Sequence, residues 1–523
     1  MSMEESIQPR HSALVTDDPP SDAALSRLSK AFELKAVRLA AGFTLVLAVM
    51  LSIQFAGPAI LDNDGYYHIR WSRMLGEHAP GLPAFKPLPL TTLNERDYVD
   101  HHYLYHVLLI PFTLGDLRFG AKLSAAVFSS LAVAALFGLI IAYRVPYLWA
   151  WLIPLLLSSE PFLYRMSMAR APSLSLAFLG LGIYLTLKRR WVWLGLLSFA
   201  FVWLYSLFPL IFAVALAYMV AVYVAERRVE TAPALASLAG IAAGLLINPY
   251  FPKNLTLFWD HLMMKLTADY SVNVGVEWYP YDTWVILGGS AVAFVIYFAG
   301  LVAFDIRRAG RDPKPLFFLL LATLFLVLAF KSRRFIEYWP PFAILFGAFT
   351  LSPYIERLMK RGVRQTFDRA VCAAAASAAT VALLATMVVT VWVAHDNIRT
   401  ETDPYAYRGA SLWLAENTPP GTVVFNTDWD DFPMLFYYNP DRTYIVGLDP
   451  TYLYDRNPEM WNLYKDITLG DKNDPAPIIK ERFGAEYVFT DNYHEDFLRV
   501  ARETGDFETV YSDRYATVLR ITR

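Results

Sequence analysis

Apolar stretches long enough to cross about 30 Å of hydrocarbon recur along most of this chain, and no other sequence feature limits its fold so sharply. They fall at 36–57, 118–143, 169–187, 191–225, 232–248, 283–303, 315–330, 338–354 and 372–394. The 191–225 stretch has room for two spans, the segment 146–159 adds another, and the apolar run 104–114 raises the count further. The expected fold class is therefore a polytopic α-helical membrane protein of about 11 to 13 spans. A composition of 56% hydrophobic and 18% charged residues excludes an ordinary soluble globular chain.

Lys and Arg resist translocation, so basic loops mark the cytoplasmic side. Lys188, Arg189 and Arg190, then Arg227 and Arg228, then Arg307, Arg308, Arg311 and Lys314, then Lys360, Arg361 and Arg364 fall in alternate loops. Arg27, Lys30 and Lys35 place the N-terminus on the same side. Residues 1–35 read as a disordered cytoplasmic tail, 36–395 as the transmembrane domain, and 396–523 as an extracytoplasmic domain. The outer loops 58–103 and 249–282 lie on that far side. A prokaryotic plasma membrane is the expected location. A net charge of −2 with no basic stripe beyond the membrane flanks argues against a nucleic-acid partner. The single Cys372 allows no intramolecular disulfide and no Cys-based zinc site.

After Thr390 the composition becomes soluble, with turn signals NTPPG at 417–421 and NPDR at 439–442. Strand-like runs at 422–426, 443–448 and 486–490 alternate with helix-like stretches at 408–416 and 474–483, which predicts a small α/β domain. Asp428-Trp429-Asp430-Asp431 follows the first strand, where α/β sheets place binding residues. A solvated turn would have the same composition.

Charged and aromatic residues gather on the outer side. Asp62, Asp64, His68 and Arg70 follow the first span: carboxylates there suit a cation or a base and an Arg suits phosphate, although Asp also caps helices. Glu277 sits among aromatics in 271–284, a pattern shared by a substrate loop and an interfacial belt. Lys331, Arg333 and Arg334 lie on the outer side against the positive-inside tendency, which suits an anionic lipid head group or else signals a miscounted span. Asp100, His101, His102 and His106 end the first loop; His102 and His106 are one helical turn apart, so they could pair on a metal, hydrogen-bond a sugar or phosphate, or pack at the interface.

In this order the features resemble the GT-C superfamily of membrane glycosyltransferases, most of all the oligosaccharyltransferase catalytic subunit and its archaeal and bacterial single-subunit relatives. Asp64-Gly65-Tyr66-Tyr67-His68-Ile69-Arg70 resembles that family's D-P-Y-Y-H-x-R, with Gly in place of Pro. The resemblance implies that Asp64 faces metal and acceptor, that Glu277 is the loop glutamate, and that Arg333 or Arg334 contacts lipid phosphate. It also implies a divalent cation, Mg or Mn, with Asp64 and Glu277 as ligands. Two departures weaken those implications. Arg165 to Ser173 stands where the family has its second metal motif and carries no carboxylate, leaving Arg165 and Arg170 to neutralise phosphate directly. Asp428 to Phe432 replaces the W-W-D-Y-G that reads the glycosylation sequon.

The expected function is transfer of a sugar or oligosaccharide from a polyprenyl-(di)phosphate donor to a protein, lipid or glycan acceptor, by inverting single displacement. Asp62, Asp64 and Glu277 are the candidate catalytic residues. Arg70, Arg165, Arg170, Lys331, Arg333 and Arg334 are the candidate phosphate ligands, and His68, His101, His102, Trp429, Asp430 and Asp431 the candidate substrate contacts. The competing reading is a lipid or glycan transporter, or an envelope-assembly scaffold, that binds without chemistry.

Overall fold

The computed structural model describes residues 22–267, 275–310, 312–361 and 366–523. Helix α1 (Asp22–Gln54) begins inside the segment expected to be a disordered tail, whose residues 1–21 lie outside the described residues. Among the described residues four helical segments are long and apolar enough to cross a membrane: Glu33–Gln54, Leu117–Ala142, Lys314–Lys331 and Ser377–Thr400. Two bent pairs pass the same test jointly, so length and composition support a multi-pass protein of four to six full spans. The count of 11 to 13 needs the shorter apolar helices as well. The run 191–225, for example, breaks around Pro209 into Trp191–Leu204 and Leu210–Glu226, each below the ~20 residues of a full span.

The two bent pairs shape the cavity. After α2 (Asp64–His78), α3 (Tyr103–Leu109), α4 (Leu117–Ala142) and α5 (Leu148–Leu157), the chain forms α6 (Glu160–Ser167) and α7 (Pro172–Leu187), which meet at 108°. Ser159 caps α6 by accepting from Phe162 N at 3.2 Å, and Pro161 and Pro172 each stand in a first helical turn, where the missing N–H costs nothing. The second pair, Thr283–Gly289 and Ala291–Ala303, bends by 80° and breaks at Ser290. The Ser159 and Ser290 hydroxyls are fully buried and hydrogen-bond at 2.7 Å, so the start of α6 is fastened to the break of the second pair. Around them α4 packs against α1 and α7 through Leu136, Phe137 and Ile140, all buried. Small residues allow the closest approach: a Cβ on Gly240 would stand 2.1 Å from the Gly195 carbonyl oxygen of the neighbouring helix.

The C-terminal part is a five-stranded sheet in the order β2-β1-β3-β5-β4, formed by β1 (Val423–Asn426), β2 (Thr443–Tyr444), β3 (Tyr487–Asp491), β4 (Phe507–Ser512) and β5 (Ala516–Ile521). β1 pairs in parallel with β2 and β3, and β5 runs antiparallel to both β3 and β4. The three strands and two helices read from the sequence are present, with β2 shorter than its apolar run because Asn426 Oδ1 takes the Ile445 N–H that would have extended the ladder. The β4–β5 hairpin is an addition; β4 is half-exposed along its length and carries little apolar signal.

This domain is seated on the first outer loop. Tyr67, Trp71, Phe85 and Tyr98 of that loop share one buried cluster with Val424, Phe432, Phe436 and Phe489. Backbone bonds cross the same boundary, from Thr92 N to Tyr452 O at 3.0 Å and from Tyr444 N to Pro87 O at 2.7 Å.

Candidate active site

Where α6 and α7 bend, below the C-terminal ends of β1 and β2, the chain encloses a cavity of about 500 Å³. Its wall includes Asp62, Asp64, His68, His101, His102, Arg165, Arg170, Glu277, Arg333, Arg334, Trp429 and Asp430. Segments far apart in sequence thus converge on one space. The broken span supplies two of its arginines: Arg165 ends α6 and Arg170 stands in the non-helical link before α7.

Arg170 is the hub. Its Nη2 lies 2.9 Å from Asp64, and its Nη1 lies 2.6 Å from Glu277 and 3.4 Å from Asp62. Glu277 in turn accepts from Arg165 and, at 3.1 Å, from Arg334, whose guanidinium stacks 3.9 Å over the Trp278 ring. Behind them Arg165 Nε donates to Glu337 at 2.7 Å, a carboxylate with no exposed surface. Burial alone would raise the Glu277 carboxyl, yet Arg165, Arg170 and Arg334 together hold it well below its ordinary value. For Asp62 and Asp64 burial wins over the pull of Arg170, and both carboxyls are pushed up. Asp430 is pushed up to about 7, by burial first and by repulsion from Asp64 second.

These donors do not fit a divalent cation. The guanidinium of Arg170 already holds the position between Asp62, Asp64 and Glu277 that a cation would need. Among the described residues no three His, Cys, Asp or Glu side chains are placed to hold a metal ion.

Three candidates lie elsewhere. Arg70 is six residues beyond Asp64 on α2, roughly 240° around the helix, and is absent from the cavity wall. Lys331 ends its helix exposed, outside the wall that Arg333 and Arg334 join. Asp431 is buried at the start of the helix Phe432–Tyr438, facing Tyr407 instead of the cavity. The motif read at Ser271 to Trp284 falls partly on residues 271–274, which lie outside the described residues. His102 and His106 do not converge on one ion: His106 spends Nε2 on His68 and Nδ1 on Asp100.

Sequence reasoning missed Glu337, Tyr205, Asp449 and Tyr452. Asp449 and Tyr452 reach the cavity from the segment after β2, so the rule that flagged 428–431 after β1 would have found them. Glu337 carries no such signal, because its partner Arg165 is 172 residues away.

The overall fold matches solved membrane transferases. Archaeal oligosaccharyltransferase AglB from Archaeoglobus fulgidus, in complex with an inhibitory peptide and a dolichol-phosphate, aligns over 88% of this chain and 70% of its own with TM-score 0.64 and 13% identity. ArnT from Cupriavidus metallidurans in the apo state aligns over 92% of this chain and 98% of its own, with TM-score 0.55 and 13% identity. ArnT bound to undecaprenyl phosphate gives 92% and 97%, TM-score 0.53 and 14% identity. No protein-family model and no curated protein matches the chain. The neighbours are GT-C glycosyltransferases, and at these identities the likeness establishes the fold alone: this chain shares the architecture of these solved proteins.

Proposed function

We propose that this protein is a glycosyltransferase that moves a sugar or oligosaccharide from a polyprenyl-(di)phosphate donor to an acceptor on the extracytoplasmic face. The observation that carries this reading is the convergence of Asp62 and Asp64 with Arg165, Arg170, Arg333 and Arg334 on one cavity between the membrane helices and the C-terminal domain. The fold supports it, since solved proteins of this architecture hold dolichol-phosphate or undecaprenyl phosphate.

In this reading the arginines receive the donor phosphate. Arg333, half-buried and stacked 5.0 Å from the Tyr281 ring, has no carboxylate partner among the described residues and is the first to meet it. Fixed guanidinium groups in a partly dry site then stabilise the leaving phosphate and take the role that a divalent cation would otherwise have. Asp64, with Asp62, orients the acceptor for in-line attack at the anomeric carbon, and attack from the face opposite the phosphate inverts it. His101, His102, Trp429 and Asp430 complete the acceptor side of the wall. The acceptor is a protein, lipid or glycan.

The two broken helix pairs are also what a transporter would show. Here, however, the start of α6 is fastened to the second break through Ser159 and Ser290, and the charges gathered nearby face a space lined also by the C-terminal domain. The test is transfer from radiolabelled polyprenyl-linked sugar in membranes carrying wild type or Asp64→Asn. The Asp64 side chain is 22% exposed and contributes little packing, so the variant should fold while transfer falls about 100-fold or more. Transfer that persists, or that is absent from wild type with every donor, would favour the transporter or scaffold.

A further inference from the structure

Behind the cavity wall lies a buried chain of hydrogen bonds to which phosphate binding and acceptor orientation by Asp64 assign no role. His68 is one helical turn beyond Asp64 on α2 and lines the same cavity. Its Nδ1 lies 2.8 Å from His106 Nε2, and His106 Nδ1 lies 2.6 Å from Asp100 Oδ2. Asp100 is 6% exposed and is held by two further donors, Trp71 Nε1 at 3.1 Å and His102 N at 2.9 Å.

The end of this chain fixes its direction. An ionised carboxylate can only accept, so His106 carries its proton on Nδ1 and presents a lone pair at Nε2. His68 must then donate from Nδ1, which leaves the lone pair of its Nε2 free. That nitrogen has no partner among the described residues and, unlike the sealed Nε2 of His102, keeps contact with the cavity. Buried imidazole oriented by a buried carboxylate is the arrangement that activates hydroxyl nucleophiles on unrelated folds.

We propose that His68 is the general base of the transfer and that the acceptor nucleophile is a hydroxyl group, with His106 and Asp100 as positioning residues. The inference rests on the glycosyltransferase reading. In the step, the acceptor oxygen forms a bond to the anomeric carbon as the bond from that carbon to the phosphate oxygen breaks, and the leaving phosphate keeps the electron pair. The acceptor proton passes to His68 Nε2, the imidazolium is stabilised through His106 by the charge on Asp100, and the proton leaves to solvent with the product. An amide nitrogen, whose lone pair is delocalised into its carbonyl, gains little from such a base.

His106, His102, His101, Tyr67, Tyr105 and Arg170 surround His68. Burial, then His106, Arg170 and His101, hold its pKa well below the ordinary value, so it rests neutral. The experiment uses full-length wild type, His68→Gln and Asp100→Asn in membranes, with undecaprenyl-phosphate and undecaprenyl-diphosphate radiolabelled hexose as donors. The acceptor probes are glycerol, a neutral disaccharide and an asparagine-containing peptide. We expect transfer to a hydroxyl probe, a kcat in His68→Gln lower by about 100-fold or more with donor KM unchanged, and a smaller loss in Asp100→Asn. Losing the Asp100 charge makes His68 a weaker base, so the acid limb of the kcat profile should move to lower pH, which a merely structural role would not do. Wild-type transfer to the peptide alone, or equal kcat and an unmoved acid limb in the variants, overturns the inference while leaving a glycosyltransferase. No wild-type transfer to any probe overturns both.

Discussion

Arg170→Ala removes the guanidinium that Asp62, Asp64 and Glu277 share. Unit charges 4 Å apart at an effective dielectric of 20 attract by about 4 kcal/mol, and breaking one partner out of a buried pair costs about 3 to 5 kcal/mol. The Arg170 side chain is 14% exposed and its three partners 20 to 22%, so solvent screens part of this and the lower figure applies. The variant should therefore lose about 3 kcal/mol. It should also acquire something the wild type lacks: a vacated position onto which three carboxylates can close, giving an oxygen-rich divalent-cation site. A Mn²⁺ ion bound only by the folded state at a hundred times its Kd would return about 2.7 kcal/mol, most of the loss. The assay is thermal unfolding in detergent, followed by the monodisperse peak with and without Mn²⁺. Arg170→Ala should melt lower and recover with the ion, while wild type should not respond. Equal responses in the two proteins would refute the idea that Arg170 stands in a cation's place.

Polar groups elsewhere give two more expected outcomes. Asp430 has its native carboxyl pushed up to about 7 against an ordinary 3.8, so the native state holds a proton that the unfolded state has lost; the resulting stabilisation is full below the lower value and disappears as pH rises through the higher one. Asp430→Asn should therefore raise the melting temperature at pH 8 and leave it nearly unchanged at pH 4, as melts at the two pH values would show. The Ser159–Ser290 clasp should behave asymmetrically: Ser159→Ala removes the α6 cap and strands the buried Ser290 hydroxyl at about 1 to 3 kcal/mol, Ser290→Ala costs less because Ser159 keeps its bond from Phe162 N, and the double variant costs about the cap alone, roughly 1 kcal/mol, a pattern that a double-mutant cycle of melting temperatures reads directly.

Hydropathy and charge patterning carried the fold class and the parallel core of the C-terminal sheet, because both depend on composition and period within a single segment. Continuity of a helix does not. The residues between Ser167 and Pro172 are as apolar as their neighbours apart from Arg170, and the 108° turn there is set by packing against segments distant in sequence. The site shows the same division. Asp64, Glu277 and Arg170 were visible as charges where lipid should begin, whereas their mutual engagement, and the anchoring of Arg165 by Glu337, are properties of contact. Arg70 illustrates the reverse error, since proximity in sequence to Asp64 says nothing of the helix face on which it lands. In the sequence His106 suggests a partner for His102, whereas the three-dimensional order of hydrogen bonds joins it to His68 and Asp100 and gives the chain a direction.

The aromatic cluster that joins Tyr67, Trp71, Phe85 and Tyr98 to Phe432 and Phe436 has a bearing on how such a chain changes over time. A boundary drawn where the composition turns soluble separates residues that cannot be exchanged independently. A graft of residues 396–523 from a distant relative would arrive with half of a jigsaw, and the first outer loop would have to travel with it. The unit of exchange in this architecture is therefore a matched pair of segments more than 300 residues apart, and a swap of either one alone should destabilise the chain even where each half folds well.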